Sequence, residues 1–331
     1  MKKTNLWMAG LVAMTLATSC SNDEVTGINP ENAIDFEASF VNKSTRAAVD
    51  LTADGVKSTG FNVFAFKDSP ATHIFKGDEV TYTDGWRYNR LQFWKKGSDY
   101  WFGAVAPADG AVWAMQTVEA VSGDYLGSGS LTFDNKAAAG EQDLLYAWAG
   151  KVTCTEPADM KKVSFVFNHM LSRVKFSFVN GMLSESITLT VSDVQIKDAY
   201  SSGTLDLNVT APVWDVKAQD KNLNMPFEGV DGIIDMSKEG ETAHKYLIPS
   251  DKDKTYTLYF KVNMHQDGSV IGSYEHTVTI KDVALVMGRS YDFKATLSAE
   301  NIDPEGTLYP IEFEVNEVEG WADYTEKDVD M

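Results

Sequence analysis

The side chains that could do covalent or metal chemistry are few and scattered. The chain has 2 cysteines, 5 histidines and 48 acidic residues among 331. His73, His169, His244, His265 and His276 stand far apart, and no HExxH or CxxC spacing gathers them into a metal set. No glycine-rich phosphate loop opens a helical pattern, and no Gly-x-Ser-x-Gly elbow occurs. Gly127-Ser128-Gly129-Ser130 reads as a flexible turn. Asp251-Lys252-Asp253 has the acid density of a calcium loop but lacks its glycine and its bidentate glutamate, so it reads as an exposed turn. His169, beside Met170 and Leu171, has the setting of a packed histidine with one satisfied nitrogen. A pair of glycosidase-type carboxylates would meet only in three dimensions and leaves no spacing signature. These residues point away from an enzyme, and to no metal or cofactor.

Two positions instead invite chemistry done to the chain. Met1-Lys2-Lys3 is a basic start, and the apolar run Leu6 to Ala17 is too short to span a bilayer of about 30 Å. It has the length of a secretory signal core. Small residues Ala17-Thr18-Ser19 then lead to Cys20, which resembles a lipobox whose thiol is acylated and becomes the new N-terminus. Ala17 stands where a leucine is usual. The second position is Arg46, in Thr45-Arg46-Ala47-Ala48, a basic site within a polar linker. Cys154 is left without a partner in the chain. Lys151-Val152-Thr153-Cys154 reads as a strand with Val152 and Cys154 on one face, which predicts a buried thiol.

The elements that carry these residues are strands. From residue 34 onward, period-two alternation and short β-rich runs recur between Gly, Asp, Asn and Pro clusters. Phe61–Phe66, Tyr100–Phe102, Val163–Phe167, Val174–Phe178, Ile187–Val191, Thr204–Val209 and Tyr256–Phe260 are examples. No long stretch keeps a 3.6-residue period; Asn135 to Gly140 is the best helical candidate, at a turn or two. Tyr256–His265 and Val270–Ile280 flank Asp267-Gly268, a favoured hairpin turn that sets His265 against Val270 and His276 against Tyr259. The polar, proline-bearing Thr155–Asp159 is the predicted domain boundary. Many short strands at regular spacing predict an all-β chain of two β-sandwich domains in tandem. Acids within the strands alternate with apolar residues, as on a solvated face. The net charge of -19 would repel a phosphate backbone, which excludes nucleic acid as a partner. Of the eight tryptophans Trp7 lies in the signal segment, and the other seven fill sandwich cores or, if exposed, stack on sugars.

Four places resemble the fimbrillin family of Bacteroidia, the subunits of type V pili. They are the start ending at Cys20; Thr45-Arg46-Ala47-Ala48; Phe93-Trp94 with Tyr100–Pro107; and Gln142–Ala147 with Phe167–Phe176 around His169. Ser21-Asn22-Asp23-Glu24 is similar to the acidic export tag of Bacteroidia surface lipoproteins. The resemblance implies transthyretin-like sandwiches, lipoprotein export to the cell surface, and cleavage after Arg46 by a trypsin-like surface protease. The organisation is then a signal peptide over 1–19, a propeptide over 20–46, an N-terminal domain over 47–157 and a C-terminal domain over 158–331.

That cleavage would release a strand. Ile34, Phe36, Ala38 and Phe40 alternate with Asp35, Glu37 and Ser39, so residues 34–40 form a half-buried strand. Its removal would bare an apolar groove open to β-augmentation by another chain. Ile311, Phe313 and Val315 alternate with Glu312 and Glu314 in the same pattern, within 308–318. They predict either a donor strand for a neighbour's vacated groove or the closing strand of their own domain. The expected function is a fimbrial subunit that polymerises by strand exchange, with other subunits, the protease and the lipoprotein export machinery as partners. A monomeric surface lipoprotein that binds glycans is the alternative, and host or bacterial surface glycans or proteins are the targets either form would meet.

Overall fold

The computed structural model describes residues 32–40, 53–68, 72–108, 112–116, 129–207, 212–230, 232–250, 255–306 and 309–319. Strands dominate, and the chain is all-β as its alternation predicts. Among the described residues two short α-helices interrupt them. Asn135–Ala138 is capped by the Asp134 carboxylate, which accepts from the Ala137 N–H at 2.9 Å. Ala53–Thr59, which carries no sequence period, packs Val56 into the first core.

The first sheet runs Phe36–Phe40, Val163–His169, Leu145–Thr153, Asp99–Ala106, Phe61–Lys67, Thr72–Tyr82 and Trp86–Arg87, in spatial order. Its central strands are apolar on both sides because both faces are covered. Tyr100, Phe102, Ala104 and Ala106 enter an inner core, while Trp101 and Val105 enter an outer one. The sheet curls until its margins meet. Ala33 bridges to Phe93, and the Phe36 ring on one edge strand lies 5.6 Å from Phe75 near the other margin.

The outer core is closed by a second sheet of Val213–Asp215, Ser202–Asp206, Ser130–Asp134 and Trp113–Gln116. It lays Leu131, Phe133, Leu205 and Trp214 over Phe66, Trp101 and Tyr146. The third core is a sandwich. One layer centres on Ser172–Asn180, paired in parallel with Arg289–Leu297, which carries Phe313–Glu319 on its far side. The facing layer is Lys221–Pro226, Ile187–Tyr200, Tyr256–Gln266 and Ser269–Ile280.

The expected division after residue 157 falls inside the first sheet. Val163–His169 pairs with both Leu145–Thr153 and Phe36–Phe40, and Ser202–Asp206 pairs with Ser130–Asp134. Pro157–Asp159 is one 3-10 turn between two antiparallel neighbours. A linker and a polar turn share a composition, so the sequence signal did not separate them. The hairpin turn is as expected, with Asp267 and Gly268 at φ 48° and 77°. A register shift between Met264 and His265 keeps His265 opposite Val270 but moves His276 opposite Phe260 rather than Tyr259.

Candidate functional site

The predicted removable strand is an edge strand seated in an aromatic nest. Among the described residues Phe36–Phe40 pairs on one side only, in parallel, with Phe36 beside Val163 and Phe40 beside Phe167. Ile34 and Phe36 are fully buried and Ala38 is half-buried, as the alternation requires; the Phe40 side chain lies outside the described set. The Phe36 ring stacks on Phe165 at 5.7 Å and meets Tyr88 at 5.5 Å, Phe61 at 6.1 Å and Phe102 at 6.3 Å.

Polar contacts fix the segment's entry. The Ile34 N–H donates to the Gln92 carbonyl at 2.8 Å, and the Trp94 N–H donates to Asn32 at 3.0 Å. The Tyr88 hydroxyl donates to the Ile34 carbonyl at 2.7 Å. Burial pushes the Tyr88 phenol up to about 12, despite its hydrogen bond with the Gln92 backbone. Lys162 pairs with Asp35 at 2.8 Å on the rim. Without residues 32–40 this nest would be a groove walled by Phe61, Phe75, Tyr88, Phe102 and Phe165, with the Val163–Phe167 backbone along one side.

The second segment with this pattern also lies at an edge, and in this chain it closes its own sandwich. Phe313–Glu319 pairs antiparallel with Arg289–Leu297. Phe313 meets Phe176, Phe178 and Phe260 edge-on at 6.0, 6.1 and 6.2 Å. Ile311 is buried, but Phe313 and Val315 are only half-buried, so this strand sits shallower than Ile34–Phe36. A cavity of about 620 Å³ opens beside it, lined by His276, Val278, Ile280, Tyr309, Ile311 and Phe313.

Cys20, Arg46 and Ala47 lie outside the described residues. Cys154 is buried, on the face its alternation predicts. Trp86, Trp94, Trp101, Trp113 and Trp214 are buried and Trp148 is half-buried, so the described tryptophans build cores and offer no sugar platform. Trp321 lies outside the described set. His169 pairs through Nδ1 with Asp143 at 2.8 Å. Such a pair can orient an imidazole for base catalysis. Ser172, the serine nearest in sequence, gives its hydroxyl to the Val286 carbonyl at 2.7 Å instead. Among the described residues, no three His, Cys, Asp or Glu side chains gather as a metal site would need, and no helix is long and apolar enough to cross a membrane.

One strand is buried on both of its faces. Arg173, Lys175 and Ser177 alternate with Val174, Phe176 and Phe178, a pattern of one solvated face, yet all six are buried. With Asp292 they form a sealed charged layer; alternation gives the two faces of a strand but not what covers them.

No curated protein matches the chain. Its fold is similar to that of a crystallised fimbrial protein from Bacteroides vulgatus, 16% identical, over 88% of this chain and 100% of that one, with a TM-score of 0.60. Weaker likeness extends to a candidate cell adhesion protein of Bacteroides uniformis, 13% identical over 89% of this chain and 100% of that one, with a TM-score of 0.48. The sequence profile described as fimbrillin-like matches residues 45–316. With most of its length inside that match, the chain belongs to the fimbrillin-like family.

Proposed function

We propose that this chain is a structural or adhesive subunit of a cell-surface fimbria, exported as an outer-membrane lipoprotein through acylation of Cys20 and cleaved after Arg46 by a trypsin-like surface protease. Family membership supports the subunit role. The observation that carries the finer reading is the seating of Ile34 and Phe36, buried in an aromatic nest and leading into a strand, Phe36–Phe40, that pairs among the described residues with Val163–His169 alone. The match to the family opens at residue 45, so this strand lies ahead of it.

A cut at Arg46 turns a covalently tethered strand into a displaceable one. The nest then accepts an extended segment from another subunit, whose backbone completes the sheet and whose alternate side chains fill the pockets. Ile311, Phe313 and Val315 fit that role by pattern and by their shallower seat at home. Such a contact is heterologous and open, and it builds a filament rather than a ring.

N-terminal sequencing of assembled surface fibres tests this. A mature chain beginning at Ala47 is expected, and Arg46→Ala should leave a folded, lipidated monomer that makes no fibres. Normal fibres from Arg46→Ala would refute the cleavage step. Lipid labelling of a Cys20→Ala variant would refute acylation at that cysteine.

A further inference from the structure

The sealed charged layer brings together an amine and two carboxylates. The parallel register sets Lys175 directly beside Asp292, and on the other side of the same strand Glu241 lies opposite Ser177. Lys175 Nζ is 2.9 Å from Glu241 Oε2 and 3.6 Å from Asp292 Oδ2. The Ser177 hydroxyl donates to the other Asp292 oxygen at 2.7 Å. The side chains of Lys175 and Asp292 are only 7% and 8% exposed, whereas Glu241 is 51% exposed. The amine is therefore held between one carboxyl sealed from water and one that reaches it.

An ion pair in such a place gives back in desolvation much of what it gains in attraction. Burial works against the charged carboxylate, and a carboxylic acid beside a primary amine is the reactant pair of amide formation. Burial holds the Asp292 carboxyl above the usual carboxylate range, outweighing the Ser177 hydrogen bond and the Lys175 charge. Fixing the two groups on adjacent strands supplies the proximity that the reaction lacks in solution.

We propose that Lys175 and Asp292 condense to a side-chain amide, with Glu241 carrying the protons. A proton passes from the Lys175 ammonium to Asp292, through Glu241, leaving a neutral amine and a carboxylic acid. The Nζ lone pair attacks Asp292 Cγ and the C–N bond forms. Glu241 takes a second proton from the nitrogen and gives it to the departing hydroxyl. The Cγ–O bond breaks, one water leaves, and Glu241 ends as the carboxylate it began as. Nothing is oxidised or reduced.

The bond would join the first strand of the sandwich to the strand that carries Phe313–Glu319, with residues 187–280 between them. Tension entering at Ser172 and leaving through Arg289–Leu297 would then bypass the whole facing layer. The bond is scored on isolated protein, so its failure and that of strand exchange are separate results.

Intact mass of the purified full-length chain under denaturing conditions is the test. The expected mass is one water below that of the open chain. Trypsin should fail after Lys175 and release Val174–Lys197 joined to Ser290–Lys294. Lys175→Arg and Asp292→Ala should restore the full mass, and Glu241→Gln should slow or abolish the reaction. Asp292→Asn should give the same branched peptide with ammonia lost instead of water. A wild-type chain at full mass and cut after Lys175 would overturn the proposal, leaving an ion pair only. Water lost elsewhere in the map would overturn it equally, and normal cross-linking in Glu241→Gln would remove that residue from the mechanism.

Discussion

At the scale of single residues, Phe36 carries the seat of the strand that we propose is removed. It fills a pocket between five aromatic rings, and its loss leaves a cavity that those rings cannot close without giving up their own contacts. Phe36→Ala should cost the uncleaved chain about 3–5 kcal/mol, read by denaturant unfolding. Tyr88 holds the same segment through one hydrogen bond to the Ile34 carbonyl. Its phenol is raised from 10.0 to about 12, so the folded state keeps a proton that the unfolded chain releases. That contribution is complete below pH 10.0 and is lost as pH rises toward about 12. Melting temperature followed through this window should fall, and the fall should be smaller in Tyr88→Phe. Unchanged alkaline behaviour in that variant would remove Tyr88 from the seat.

At the scale of elements, two edge strands share one code, Ile-x-Phe-x-Ala and Ile-x-Phe-x-Val, and each turns its phenylalanine toward other aromatic rings. A synthetic peptide of residues 309–319 should therefore bind chain cut at Arg46, and should not bind uncut chain. Isothermal titration with both forms separates the outcomes, and equal binding to both would sink the exchange assignment. These strands were legible because alternation reports directly which side chains share a face. The Tyr256–Ile280 hairpin was legible because Asp-Gly fixes its turn, although the shift at Met264 and His265 was not. The helix Ala53–Thr59 was invisible because it is too short to show a period. The partners of Phe36–Phe40 were also invisible, since parallel pairing across so long a stretch of chain leaves no local mark. For the charged layer, nothing within the strand of Arg173 and Lys175 records what lies above them.

At the scale of the whole molecule, a buried ionisable group makes stability depend on pH. His244 is lowered from 6.5 to about 3, chiefly by burial and then by the nearby charges of Arg173 and Lys175. Below pH 6.5 the unfolded chain takes up a proton that the folded chain refuses. Stability present above 6.5 is therefore lost as pH falls toward about 3. Unfolding free energy measured across that range should decline, and less so in His244→Gln. The interleaved connectivity has a consequence of another kind, in time. Among the described residues Phe36–Phe40 has no paired strand until Val163–His169 has been made, and Ser130–Asp134, already beside Trp113–Gln116, gains its second partner only with Ser202–Asp206. Ser172–Asn180 in turn gains its long parallel partner only with Arg289–Leu297. Each closure pays for a long loop before any contact rewards it, which slows folding. A chain threaded out from its N-terminus would thus stay open until its last third arrived. Its earliest strand would be among the late ones to dock, and so lies near the surface of the folding history as it does at the edge of the sheet.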